Sequence, residues 1–427
     1  MNRPKNQQNQ LPYTRQNSGL INLSRANHSV LLFAIFITEK NPSAMQSAYV
    51  KNFFVAAAAM LISHTIIIAQ SNLSLKYDNS SLYSGIEVGS KGVKMSLLEI
   101  GRNAKDNGSF NILKDTSVNT DFISFTPATF ESTLKGFYSF YNIAVKEYQI
   151  PAEKIFTVIS SGVQMQASKD QKNEWIKQLI DSFKTRINEK HRHVEVIDAM
   201  QEGRLSHLGI VPDARRYNTF LIDIGSGNTK GGYFPYGNTT DFKLFNLNWG
   251  TKSTANAAEK RCDEFDKTLD NYSKQLYRVL VAAEEQEIIY AVNASGAYNM
   301  NDYIAFSGGI AWAVATLIKP ELINNAIVPV TYGDVLSFSE KLYKNFASLS
   351  GEVLPKTIKD PSINKSFASK EIKRVQKVFD QRSMMAGTGL LLKIMRQFKS
   401  IYETKQFYLV KNGQVGWISA YVDQHSH

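Results

Sequence analysis

One local pattern occurs twice in this chain and limits what it can become. Between Tyr217 and Phe234 an apolar run of Phe220, Leu221 and Ile222 leads to Asp223. A turn of Gly225, Ser226, Gly227, Asn228 and Thr229 follows, then Lys230, and a second run begins at Gly232. Between Ser84 and Ile100 the order recurs: a strand-like run, an acid at Glu87, the turn Gly89, Ser90, Lys91 and Gly92, and a returning run of alternating apolar positions. Both read as β-hairpins, because short β-rich runs are joined by residues that tolerate turns. Small residues in such a turn let backbone N–H groups point at one place, which suits an anion, and a carboxylate beside it suits a hydrated divalent cation. Taken singly, each hairpin is equally well an Asp- or Asn-stabilised turn. Two copies in order require two halves. A third element, Ile304 to Leu317, runs from a short strand through Ser307, Gly308 and Gly309 into an apolar helix, which brings amide donors to a positive helix end.

The remaining pattern extends this pairing to a fold class. Strands are expected near 85–89, 92–100 and 110–117, followed by an amphipathic helix from Phe130 to Tyr148 whose Phe137, Phe140, Tyr141, Ala144 and Val145 recur at helical spacing. A strand at 154–159, a helix at 170–187, a strand at 193–197 and a short helix at 201–208 lead to the second hairpin. A strand at 242–247 and long helices through 251–288 come after it. Alternating strands and helices with a doubled hairpin start predict two related α/β domains, 85–215 and 216–427, with a cleft between them where a ligand would meet the strand ends.

With 43% hydrophobic residues in 427, the chain can bury more than one core. Its one cysteine, Cys262, rules out an intramolecular disulfide, so any metal site must use oxygen ligands. The net charge of +11 is not a nucleic-acid signal. Residues 1–70 hold six basic residues against the single acid Glu39 and supply +5, and the remaining +6 is spread among interspersed acids with no basic-aromatic stripe. Residues 1–50 read as a disordered or over-extended leader, since Met45 could serve as a start. Residues 51–70 carry an apolar run from Phe53 to Ile68 with a small-polar exit, which reads as a secretory signal cut near Gln70, or as a membrane anchor if uncut, and 71–84 as a linker. An organellar transit peptide over the first forty residues is the other option.

The stretch from Glu195 to Val211, followed by Phe220 to Lys230, resembles the exopolyphosphatase/guanosine-pentaphosphate phosphohydrolase (Ppx/GppA) family of the actin-like ATPase superfamily. The resemblance runs from about 85 to 422 and includes Ser307 to Gly309 and the late helix at Met384 to Leu392. It implies two actin-like, RNase H-like domains. It also implies a Mg²⁺-dependent hydrolysis of phosphoanhydride bonds in which Glu202 activates water, Glu87 and Asp223 orient Mg²⁺, and the turns Gly89 to Lys91, Gly225 to Lys230 and Ser307 to Gly309 hold phosphates. The partner implied is a phosphorylated small molecule or polyphosphate, with a homodimer left open. Three positions depart from the family's pattern: Lys230 stands where a carboxylate is usual, Gln164 where an arginine is usual, and Asn412 to Trp417 lacks the late Arg-Glu pair. Bidentate arginines are strong phosphate contacts, so the departures point to a hydrolase with altered substrate or activity, with a non-catalytic protein binding a phosphorylated ligand or a partner as the alternative. Glu202 discriminates. Within water-bridging distance of the Gly225–Thr229 turn it could serve hydrolysis; paired with Lys230 it could not, and the binding reading would hold.

Overall fold

The computed structural model describes residues 73, 75–77, 80–101, 111–399, 405–411, 413 and 416–426. The leader, the expected signal at 51–70 and part of the linker lie outside the described residues. Among the described residues, no helix is long and apolar enough to cross a membrane.

Two sheets within the unit Ala69–His427 are built on one plan. In the first, β1 (Ser80–Val88), β2 (Gly92–Gly101) and β3 (Asn111–Asn119) form an antiparallel meander. α1 (Pro127–Asn142) leads to β4 (Ile155–Ile159), and α2 (Ser161–Lys169) and α3 (Asn173–Ile187) lead to β5 (Glu195–Val196). β4 runs parallel to β1 and β5 parallel to β4, giving the order β3-β2-β1-β4-β5. α4 (Ala199–Ile210) then carries the chain to the second sheet.

There β6 (Thr219–Ile224), β7 (Thr229–Tyr233) and β8 (Lys243–Leu247) repeat the meander. α5 (Thr251–Glu259), α6 (Leu269–Ala283), α7 (Ile289–Ser295) and α8 (Ala297–Met300) precede β9 (Tyr303–Ser307), which lies parallel to β6. After α9 (Gly309–Ile318), β10 (Ile327–Val330), α10 (Tyr332–Lys344), α11 (Lys365–Val378) and α12 (Gln381–Phe398), β11 (Gln406–Val410) pairs with β9 and β10, and α13 (Gly416–His425) ends the fold. Counted from its meander edge, β8-β7-β6-β9-β11 repeats the order of the first sheet, with β10 added outside. Each lobe has its own core, around Phe137 and Phe183 in the first and Phe220, Phe245 and Phe306 in the second.

Three details correct the expected boundaries. β1 begins at Ser80, inside the expected linker, because Ser80 to Tyr83 still find cross-strand partners as far as Gly101. A separate helix, α2, follows β4 directly, ahead of the helix expected at 170–187. The last helix, α13, leaves the second lobe and packs on α4 and β1, so the second domain does not extend unbroken to 427. Glycines make that crossing possible: a Cβ on Gly209 would stand 2.1 Å from the Gly416 carbonyl oxygen. The contact buries Trp417, Ile418 and Tyr421 against Val158, Ile197 and Leu205, and burying such side chains stabilises by roughly 1.5–3 kcal/mol apiece.

Candidate anion site between the lobes

The site forms where both hairpin turns meet the start of α4. Asp198 caps this helix, its carboxylate accepting from the Gln201 N–H at 2.7 Å, and so holds Glu202 in the first turn. Across the second hairpin, the β6/β7 register sets Lys230 opposite Asp223. The Lys230 ammonium lies 2.7 Å from Glu202 Oε1 and 3.0 Å from Asp223 Oδ2. Glu202 Oε2 accepts from the Ser161 N–H at 2.8 Å, and the Ser307 hydroxyl donates to Asp223 Oδ1 at 2.8 Å. Lys230 therefore fills the space beside Glu202. All three charged groups are buried, Glu202 at 1% exposure.

Burial works against the Lys230 charge, but Glu202 and Asp223 outweigh it and hold the ammonium well above the usual lysine range. Glu87 is pushed up from the usual carboxylate range, first by burial and also by the negative charges of Glu202 and Asp223, with Lys94 and Lys230 pulling the other way. Lys94 stands opposite Glu87 across the first hairpin, at 3.5 Å from Oε2. These residues do not fit a resident divalent ion. An ammonium already occupies the point at which the two carboxylates that would bind it converge.

The two turns converge. A Cβ on Gly227 would come 2.9 Å from the Ser90 Oγ, and one on Gly162 would come 2.9 Å from Asn228 Oδ1. Beside them lies a cavity of about 460 Å³ lined by residues of both lobes, among them Glu87, Ser90, Lys91, Ser226, Lys230 and Lys252. Several of the expected phosphate-holding groups face the protein frame. Thr229 donates from its hydroxyl to the Trp249 carbonyl at 2.7 Å, and the Asn228 amide contacts the Met165 sulfur at 3.1 Å. The turn's carbonyls are held too, because Thr251 N–H donates to Gly225 O at 2.9 Å and Lys252 N–H to Ser226 O at 2.8 Å. Gly308 lies at φ +92°, a conformation that favours glycine, and a Cβ there would meet the Ile224 carbonyl at 2.2 Å. This close approach sets the start of α9 beside Asp223.

The rim joins Lys91, expected from the first turn, to Lys252 and Arg374, which sequence reasoning missed. Lys252 pairs with Asp121, Arg374 pairs with Asp115 at 2.9 Å and lies over the Trp312 ring, and Lys91 donates to the Val378 carbonyl and sits 4.5 Å from the Phe379 ring centre. These contacts join the lobes across the cleft. Burial lowers both Lys91 and Lys252, and the like charge of Lys91 lowers Lys252 further. Lys94 had a usable signal, the acid-to-lysine interval it shares with Asp223 and Lys230. Lys252 and Arg374 had none, since each sits among other helix-surface polar residues. Gln164 lies half-buried on α2, and His207 is fully buried, its Nε2 at 3.1 Å from the Thr219 carbonyl.

A meander of three strands extended by parallel strands, built twice around a cleft, is the two-lobed actin-like α/β fold. Solved Ppx/GppA structures share it. A Ppx/GppA family member from Aquifex aeolicus superposes with a TM-score of 0.51 at 15% identity, covering 82% of this chain and 99% of its own. An exopolyphosphatase-like protein gives 0.54 at 12% identity over 80% of this chain and 98% of its own, and an exopolyphosphatase from Cytophaga hutchinsonii gives 0.50 at 13% over the same shares. No family model and no curated protein matches the sequence. The likeness is one of fold.

Proposed function

We propose that the cleft binds a phosphorylated small molecule or polyphosphate without hydrolysing it. The observation that carries this reading is the ion pair between Lys230 and Glu202 at 2.7 Å. A general base must be free to take a proton from water, whereas Glu202 is bound by an ammonium through one oxygen and by the Ser161 N–H through the other. Two of the further cations on the cavity wall, Lys91 and Lys252, which stand there with Lys94 and Arg374, suit an anion. Their contacts with Val378 and Asp121 would give way to it, so binding would alter how the lobes are held.

A hydrolytic reading draws on the fold shared with exopolyphosphatase structures and on Glu202 lining the same cavity. The experiment separates the two. Purified protein is titrated calorimetrically with pyrophosphate and tripolyphosphate, and phosphate release from polyphosphate, guanosine pentaphosphate and ATP is measured with Mg²⁺ beside Glu202→Gln. Binding that weakens in Lys91→Ala and Lys252→Ala, with no Glu202-dependent release, is expected. Release that disappears in Glu202→Gln would reverse the conclusion.

A further inference from the structure

We infer that the Lys230 ammonium is the resident cation of this cleft: it occupies the position between Glu202 and Asp223 that a hydrated divalent ion would otherwise take, and removing it unmasks a metal site. The inference deepens the reading of the cleft as an anion site and rests on it.

Two carboxylates on different elements, one on α4 and one on β6, point at a single ammonium at 2.7 and 3.0 Å. Two carboxylates with water completing the shell are a sufficient protein contribution for a Mg²⁺- or Mn²⁺-type ion. The surroundings are already arranged for a cation. Ser307 and the Ser161 N–H orient the outer oxygens of both carboxylates, as outer hydrogen bonds orient metal ligands. A third carboxylate, Glu87, is 3% exposed, and its Oε2 has no hydrogen-bond partner. Its pairing with Lys94 is long, at 3.5 Å. With Lys230 in position, a divalent ion would meet its charge at the one place where both carboxylates converge, and like charges in a buried site exclude each other.

Mn²⁺ binding read by electron paramagnetic resonance tests this on wild type, Lys230→Gln and Lys230→Met. The double variant Lys230→Gln with Glu202→Gln serves as the charge-balanced control. The expected result is that each single variant binds one Mn²⁺ at least about tenfold more tightly than wild type, while the double variant falls back to the wild-type level, because two carboxylates are needed. Wild type binding Mn²⁺ as tightly as the single variants, or single variants binding no better than wild type, overturns the inference. If the single variants are destabilised without metal, a Mn²⁺-dependent rise in their melting temperature supports it and the absence of any rise overturns it. Pyrophosphate titration with EDTA or Mn²⁺ adds a second readout: binding to wild type should ignore the metal, and binding to Lys230→Gln should require it. A protein that binds no pyrophosphate under any condition would refute the anion-site reading, while the Mn²⁺ measurement would still decide the role of Lys230.

Discussion

Glu87 and Lys94 face each other across the first hairpin as Asp223 and Lys230 do across the second. In the first, the ammonium stands 3.5 Å away with its side chain one-third exposed, at 33%; in the second it lies at 3.0 Å with 6% exposed and is shared with Glu202. The same hairpin thus yields a loose pair at the cleft wall and a closed buried triad. The difference arises outside the hairpins: α4 lies against β7 and brings a second carboxylate, so the second lysine loses its water and gains a second partner.

The largest effect should follow from cutting the triad at its centre. Lys230→Ala leaves Glu202 and Asp223 as uncompensated buried charges, and removing one partner of a buried ion pair costs about 3–5 kcal/mol. Urea unfolding measures it. A loss below about 1 kcal/mol, the level of an exposed pair, would mean that the two hairpins are energetically alike.

The helix that separates the hairpins makes the next prediction. His207 is fully buried on α4, its Nε2 bonding the Thr219 carbonyl at the start of β6 and its ring lying edge-on against Phe234. Burial pushes it from 6.5 down to about 4, against the pull of the Thr219 carbonyl. The folded protein therefore resists a proton that the unfolded chain accepts below 6.5. Stability is complete above that value and falls as pH drops toward about 4, by about 3 kcal/mol over the window. In His207→Gln this part of the acid sensitivity should vanish, read as the difference between the two proteins' unfolding free energies at pH 7 and pH 4.5. Parallel curves would remove His207 as a brace.

Glu202→Gln should cost less, roughly 1–3 kcal/mol, since Asp223 still pairs with Lys230 and the Gln oxygen can still accept from Ser161. Thermal unfolding checks it. An unchanged Tm would locate the asymmetry between the hairpins in the turn itself rather than in α4.

Much of this was legible because it is periodic. The doubled hairpin, the acid at the end of each first strand and the helix bearing Glu202 follow from local spacing, and the cleft follows from two copies of one plan. Lys230 could be recognised as a departure, but its effect depended on where α4 crosses β7, a tertiary distance that no local pattern encodes. The same limit hid α13, whose return to the first lobe depends on Gly209 and Gly416 permitting close backbone approach. Lys252, Arg374, Asp115 and Asp121 become a site only when their lobes meet. The side chains of Asn228 and Thr229 bond their own frame, because turn residues suited to an anion are equally suited to that.

The smallest effect bears most directly on the opening contrast. Lys94→Met keeps the aliphatic stem and removes the charge opposite Glu87. Because Lys94 is one-third exposed and its pairing long, stability should change by no more than about 1 kcal/mol. The carboxyl of Glu87 should nevertheless move further up, since Lys94 pulls it down against burial. Isotope-edited infrared titration would detect that shift without any stability change. If Lys94→Met instead destabilised the protein as much as Lys230→Ala, both hairpins would hold structural ion pairs, and the explanation that α4 alone converts one of them into a buried triad would fail.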